Sequence, residues 1–363
     1  MENGAKFYVP GSKIPIQLSN KKFTFAIMLT PRKFLFPFSV LYGGVMRLRN
    51  KLYDRGILSS RKFDVPVIAV GNLSMGGTGK TPMVEYLVSM LKNDYRVAVL
   101  SRGYRRKSSG FILLTGQETA TEAGDEPLQF KQKFPSALVA VDEDRINGIE
   151  QLLQENPTPE VVLLDDAFQH RKVEAGFYIL LTSYTHLYRN DLVLPAGNLR
   201  EPASGAKRAD VIVVTKCPAD MSIPEMKGII KKLKPKKDQE VFFTTIGYSD
   251  SVFGRNRSLK LEELKKTEFT LVTGIANPKP LVEYLESLGL KFSHKAYRDH
   301  HNFSEEELKE LQFEELIITT EKDYMRLRNE ISREKIFYLP IKTHFLERGE
   351  SFDEQIKDYV QKK

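Results

Sequence analysis

The chain has 363 residues, 41% hydrophobic and 28% charged, the balance of a globular protein long enough for two domains. Its net charge of +8 favours an anionic partner without choosing among nucleic acid, an acidic membrane and phosphorylated small molecules. The single cysteine, Cys217, excludes an internal disulfide framework, and no run of about 18 apolar residues is present to span a bilayer.

The start carries no charged-then-apolar secretory pattern, so the expected location is the cytoplasm. Residues 1–33 are read as an N-terminal extension, polar and without a period through residue 22, where little order is expected. From Phe34 to Met46 the chain turns strongly apolar, with Arg32 and Lys33 before it and Arg47, Arg49, Lys51 and Arg55 after it. Pro37 suits the first turn of a helix. Beyond it Phe38, Leu41, Tyr42, Val45, Leu48 and Leu52 recur at helical spacing on one face. Residues 34–58 are therefore expected to form an amphipathic helix lying in a membrane interface, its stripe toward acyl chains and its basic residues toward anionic headgroups. The competing expectation is that the stripe packs on the protein's own core, as amphipathic helices usually do.

Strands are expected at Val65–Val70, Arg96–Leu100, Ala137–Val141, Val161–Leu164, Tyr178–Leu181 and Val211–Val214. Helical stretches, Pro82–Leu91 and Asp144–Gln154 among them, fall between these strands. Such alternation predicts an α/β fold with a mostly parallel sheet. The run from Lys231 to Lys237 reads as a solvated helix end and loop. After Phe242–Thr245 the pattern restarts, with strands at Phe269–Val272, Leu316–Thr319 and Ile336–Tyr338. Helices are expected at Lys279–Leu288, Glu305–Leu311 and Phe352–Gln361, the second opened by a Ser304/Glu307 capping box. Residues 59–245 and 246–363 are thus expected to be two domains.

The strongest motif runs Ser74-Met75-Gly76-Gly77-Thr78-Gly79-Lys80-Thr81, after a strand and opening a helix. Glycines let successive N–H groups turn inward around phosphate oxygens, and a helix N-terminus adds partial positive charge. Lys80 then reaches the β- and γ-phosphates and the Thr81 hydroxyl suits Mg²⁺. Ser74 stands where the usual P-loop begins with glycine. Val161-Val162-Leu163-Leu164-Asp165-Asp166 is an apolar strand ending in acids, the Walker-B arrangement beside such a metal. Together they indicate nucleotide hydrolysis or transfer without naming the acceptor. Transfer to an alcohol needs a group that takes or orients its proton. Asp125 and Glu126, Glu201, and His300 or His301 are the candidates, all placed on loops by their Gly and Pro neighbours. His170, His186, His294 and His344 are read as structural.

At this point the chain resembles the tetraacyldisaccharide 4′-kinase family, the lipid A 4′-kinases of Gram-negative bacteria. The carriers are Val70-Gly71-Asn72-Leu73 with the P-loop, Ser101-Arg102-Gly103-Tyr104, Gly124-Asp125-Glu126-Pro127 and Leu164-Asp165-Asp166-Ala167-Phe168-Gln169-His170. Leu194-Pro195-Ala196-Gly197-Asn198-Leu199-Arg200-Glu201-Pro202, Gly274-Ile275-Ala276-Asn277-Pro278, Asp299-His300 and Thr320-Glu321-Lys322-Asp323 continue the series in order. The resemblance implies a P-loop NTPase-like sheet with helices on both faces, and a smaller α/β domain closing the cleft. It also implies transfer of the ATP γ-phosphate to the 4′-hydroxyl of a tetraacylated glucosamine disaccharide 1-phosphate, giving lipid IVA.

Asp125 is similar to the family's base and His300 to its histidine partner, while Glu201 matches a third acid of the site. Asp165 and Asp166 match the Mg²⁺ acids, beside Thr81. Phe38, Leu41, Tyr42, Val45, Arg47 and Arg200 are expected to meet the lipid acceptor or the membrane. ATP, Mg²⁺, the lipid A precursor and the anionic inner-membrane surface are the implied partners, with no nucleic acid, at the cytoplasmic face of the inner membrane. The adjacent His301 and the segment before Met28 depart from the family pattern. The rival is another P-loop nucleotidase, a GTP-dependent metallochaperone or maturation ATPase. For it, Val214-Thr215-Lys216-Cys217-Pro218 resembles a guanine-reading loop, but Pro218 replaces the base-reading aspartate.

Overall fold

The computed structural model describes residues 31–104, 106–299 and 301–362, and the expectations placed on residues 1–22 and on His300 lie outside them. A 3₁₀ turn, Pro31–Leu35, leads into α1 (Phe36–Asp54). Then come β1 (Val67–Asn72), α2 (Lys80–Leu91), β2 (Val97–Ser101), β3 (Ile112–Leu113), α3 (Ala120–Ala123) and α4 (Asp125–Lys133). β4 (Leu138–Val141), α5 (Arg145–Leu152), β5 (Val161–Asp165), β6 (Phe177–Ser183), β7 (Val211–Thr215), α6 (Ile223–Leu233) and β8 (Glu240–Tyr248) follow.

The smaller unit contains β9 (Ser251–Phe253), β10 (Ser258–Lys260), β11 (Phe269–Thr273), α7 (Lys279–Ser287) and β12 (Phe292–Ala296). It continues through α8 (Glu305–Phe313), β13 (Ile317–Thr320), α9 (Glu321–Leu327) and β14 (Ile336–Leu339), and the chain ends in β15 (Ile341–Phe345) and α10 (Gly349–Gln361).

The nine-stranded sheet has the order β15-β8-β7-β6-β1-β5-β2-β4-β3, and the second sheet has six strands, β10-β9-β14-β13-β11-β12. In the large sheet β4 through β8 pair parallel across β2, β5, β1, β6 and β7, and only the edges β3 and β15 are antiparallel. This is the P-loop NTPase-like α/β arrangement. Alternate residues of each strand serve opposite faces. Ile68 and Val70 pack with Met83, Leu87 and Leu91 of α2 and with Phe352 and Ile356 of α10. Val67 and Ala69 pack with Ile149 and Leu152 of α5. Each such fully buried aliphatic side chain contributes about 1.5–3 kcal/mol relative to exposure, so both faces need a helix layer.

The course of the chain after the smaller sheet was not visible in the sequence. β15 runs antiparallel to β8, Thr343 opposite Ile246, so the tail returns to the large sheet. The core facing α2 also continues into the smaller unit through Val272, Ile317, Tyr324 and Leu327. Between the units lies a buried charge cluster. Lys133 reaches Glu85 on α2 at 2.7 Å and Glu321 on α9 at 2.8 Å, and Gln129 donates to Glu85.

One local expectation is corrected here. Asp125 and Glu126 do not lie on a loop but open α4. Gly124, at φ 90°, supplies a backbone turn that other residues resist, and acids in a first helical turn face its positive end. Pro127 is tolerated there because first-turn N–H groups have no intrahelical partner.

Candidate active site

β1 ends in the loop that becomes α2, and β5 is its neighbour, with Val70 in register with Asp165. A glycine loop and an acid pair far apart in sequence are thereby brought side by side, outside the carboxyl ends of the strands. Gly79 caps α2 with φ 82°, so the helix N-terminus faces the loop. Asn72 donates to the Thr78 hydroxyl at 2.6 Å. Thr215, at the end of β7, donates to the Thr78 carbonyl at 2.8 Å, and Lys216 donates to the Gly77 carbonyl at 2.7 Å. With two loop carbonyls held outward, the loop is braced as a phosphate cradle. Ser74 replaces the first glycine because the chain there is extended, bridged to Leu199, while Met75 N–H donates to the Asn198 carbonyl. Lys216 was noticed in the sequence only as part of a base-reading motif, and its brace on the loop is visible only in the fold.

Lys80 lies 3.7 Å from Asp166. Asp166 is left-handed (φ 49°), and both its oxygens accept from Arg200, at 2.8 and 2.9 Å. Burial works to raise the Asp166 carboxyl, but Lys80 and Arg200 hold it below the ordinary range. Asp165 behaves oppositely. Burial, then Glu126 and Asp166, push it up to about 7 against Lys80 and Arg145. Ser101 donates to its Oδ2 at 3.1 Å, whereas its buried Oδ1 has no hydrogen-bond partner among the described residues. Among the described residues no cluster of three His, Cys, Asp or Glu side chains forms a metal cage. Burial, with Arg145 and Arg102 next, lowers His170 to about 4, which keeps it neutral.

Glu201 lies apart from this chemistry. It is fully buried and accepts from Arg208 at 2.7 and 2.9 Å, Gln169 at 3.0 Å and Asn50 of α1 at 2.6 Å. A carboxylate with four donors ties three segments together and has no oxygen to offer a substrate.

The other wall of the cleft comes from the smaller unit. A cavity of about 480 Å³ is lined by Tyr104, Asp125, His301, Phe303 and Arg326. Asp125 pairs with Arg326 of α9, which also meets Asp323 at 3.5 Å and the His301 carbonyl at 3.4 Å. The His301 ring is committed elsewhere. Its Nε2 sits 2.9 Å from Glu307, and it stacks on Tyr297. A larger open groove of about 680 Å³ at Glu268, Phe292 and Glu314 contains none of these groups. Arg326 escaped the sequence reading, and its only signal was the (i, i+3) spacing from Asp323 on a helix.

The α1 helix is amphipathic in the inverse sense for a soluble protein. Its inner face is small and polar. Ser39 accepts from Ala196 N–H at 2.8 Å, and Tyr42 donates to the Arg200 carbonyl at 2.9 Å. Outward face Phe38 and Leu41, 62% and 69% exposed, with Phe34, Phe36, Val40, Val45 and Leu48. Tyr42 and Leu52, expected in that stripe, are half-buried because the helix docks through their side. Arg47 is exposed. No described helix is long and apolar enough to cross a membrane.

A braced glycine loop on a helix N-terminus, with an acid pair on the next strand and a second unit across the cleft, defines a P-loop phosphotransferase. The tetraacyldisaccharide-1-P 4′-kinase family model matches residues 31–361, and the chain belongs to this family. A tetraacyldisaccharide 4′-kinase of Flavobacterium johnsoniae is 52% identical over 332 residues, covering 91% of this chain and 97% of the relative. One of Phocaeicola vulgatus is 44% identical over 349 residues, covering 91% and 95%. A crystal structure of the "apo" form of LpxK from Aquifex aeolicus in complex with ATP has a TM-score of 0.75 at 34% identity. It covers 91% of this chain and 100% of that one.

Proposed function

We propose that the chain transfers the γ-phosphate of ATP to the 4′-hydroxyl of a tetraacylated glucosamine disaccharide 1-phosphate, at the cytoplasmic face of a bacterial inner membrane. One observation carries the reading beyond nucleotide binding. The helix that begins with Asp125 borders a cavity shared with the smaller unit, and its next residue, Glu126, acts electrostatically on Asp165 at the nucleotide site. That proximity supports an acceptor site beside the nucleotide site.

Lys80 meets the β- and γ-phosphates, and the loop N–H groups orient them. Thr81 with Asp165 and Asp166 would hold Mg²⁺, and the partnerless buried Oδ1 of Asp165 fits a cation ligand. When bound, Mg²⁺ neutralises charge on the transferring phosphoryl group. A sugar hydroxyl does not ionise at neutral pH, so Asp125 takes its proton as the hydroxyl oxygen bonds to the γ-phosphorus and the bond from that phosphorus to the β,γ-bridging oxygen breaks, ADP leaving with the electron pair. His300 supports Asp125 in this reading, and the contact of the His301 ring with Glu307 favours His300 over its neighbour. Glu201 and Arg200 act from behind, Glu201 by tying α1 to the segment after β5 and Arg200 by holding Asp166. The smaller unit closes the cleft, while β15 and α10 stay with the P-loop unit.

The exposed stripe of α1 lies in the membrane interface, where burying it in lipid removes a cost the protein otherwise leaves in water. The decisive assay supplies ATP or GTP with the tetraacyldisaccharide 1-phosphate in vesicles and follows phosphate on the lipid. ATP-dependent lipid phosphorylation is expected, and nucleotide hydrolysis without lipid product would overturn the proposal.

A further inference from the structure

We propose that Arg326 is a positioning residue for phosphoryl transfer, holding the Asp125 carboxylate in place and aimed into the cavity from the opposite side of the cleft. This rests on Asp125 acting as the base. Arg326 projects from α9 in the smaller unit, and its guanidinium meets Asp125 at the first position of α4. Both side chains are nearly buried, 10% and 14% exposed, so the pair is little screened by water. The guanidinium is itself held. Asp323 lies 3.5 Å away, and Asp323 is fixed in turn by Gly274 N–H at 2.8 Å and the Thr320 hydroxyl at 2.7 Å. Arg326 also donates to the His301 carbonyl at 3.4 Å, which links the base to the histidine segment.

A planar guanidinium on a preset mount fixes a carboxylate's direction better than a flexible ammonium does. Two further contacts join the same region, Arg328 just past the end of α9 to Gln132 of α4 at 2.5 Å and Lys133 of α4 to Glu321 of α9 at 2.8 Å. Docking of α9 on α4 therefore brings Arg326 to the base. The remaining charged or titratable groups lining the cavity are Tyr104, Lys107 and Glu118 on the P-loop unit and His301, Arg328 and Glu330 on the smaller unit.

The test compares Arg326→Gln, Arg326→Lys and Asp125→Asn in the full-length protein, using ATP and the vesicle-borne tetraacyldisaccharide. Arg326→Gln should lower kcat by about 10- to 100-fold, the scale of a lost charge-assisted hydrogen bond, with the ATP Kd unchanged. The acid limb of its pH–rate profile should move up by about one pH unit, because a nearby cation favours the ionised carboxylate. Arg326→Lys should return the limb toward its original place while recovering only part of kcat. A purely structural Arg326 would lower the melting temperature and leave the limb where it was, and that result overturns the inference. So does full activity in Arg326→Gln. Full activity in Asp125→Asn sinks the base assignment itself. Collapse of Asp125→Asn with an unmoved limb in Arg326→Gln leaves the base assignment standing and removes only Arg326.

Discussion

The two walls of the cleft are built in different ways. On the nucleotide side, the groups proposed to meet phosphate come from one loop, residues 74–81, and the braces of Thr215 and Lys216 only steady a shape that the glycines permit. On the acceptor side, Asp125 and its partner Arg326 stand 201 positions apart and meet only when α9 docks on α4. Recognition of phosphate is a backbone property of a short segment, whereas activation of an alcohol needs side chains gathered from separate units.

That contrast ranks the expected effects of mutation. Lys80→Ala should remove turnover by about 10³-fold or more, since it takes from the phosphates the charge that the P-loop lysine supplies. Lipid phosphorylation measured on the folded variant checks this, and normal turnover would place the nucleotide elsewhere. Asp125→Asn should cost about 10²-fold in kcat, the usual scale of acid–base help, while ATP binding by calorimetry stays near the original value. Equal damage to both quantities would mean that the two walls are not separable as described.

Replacing Phe38, Leu41 and Val45 together with Ser probes a third surface. About 10-fold loss on vesicle-borne acceptor is expected, because less apolar area enters the interface. Flotation with anionic liposomes should fall in parallel while the melting temperature holds, since all three side chains are exposed. A lowered melting temperature with intact flotation would assign the stripe to an internal contact.

The smallest effect concerns the joint between the walls. Burial, then Glu321, push Glu85 up to about 7 against Lys133 and Gln129, from 4.5 in the unfolded chain. The folded state therefore binds this proton more tightly, and the stability it contributes is whole below pH 4.5 and lost as pH rises through about 7. Glu85→Gln should flatten that decline by roughly 1–2 kcal/mol between pH 5 and pH 8, read from denaturant unfolding at each pH. An unchanged slope would mean that Lys133 neutralises both acids at every pH.

Much of this was legible beforehand, for reasons tied to range. The strands around Val70 and Leu164 announce themselves by aliphatic runs, and the P-loop by glycines whose effect is confined to their own backbone. The inverse amphipathicity of α1 was half legible. The spacing of Phe38, Leu41 and Val45 showed a stripe, but which way it faced depended on Ser39 and Tyr42 finding Ala196 and Arg200. Asp125 was picked out as a site acid yet placed on a loop, since Gly and Pro beside it signal a turn as readily as a helix start.

By itself, then, the sequence determined the phosphate-binding loop, the acid-ended strand and the family's motifs, because each is a local pattern whose physics needs few distant partners. Tertiary structure alone decided that Glu201 is sealed among four donors, that β15 returns to the large sheet and that Arg326 meets Asp125. Those depend on burial and long-range pairing, where a side chain's role is set by what the fold brings against it rather than by its neighbours along the chain.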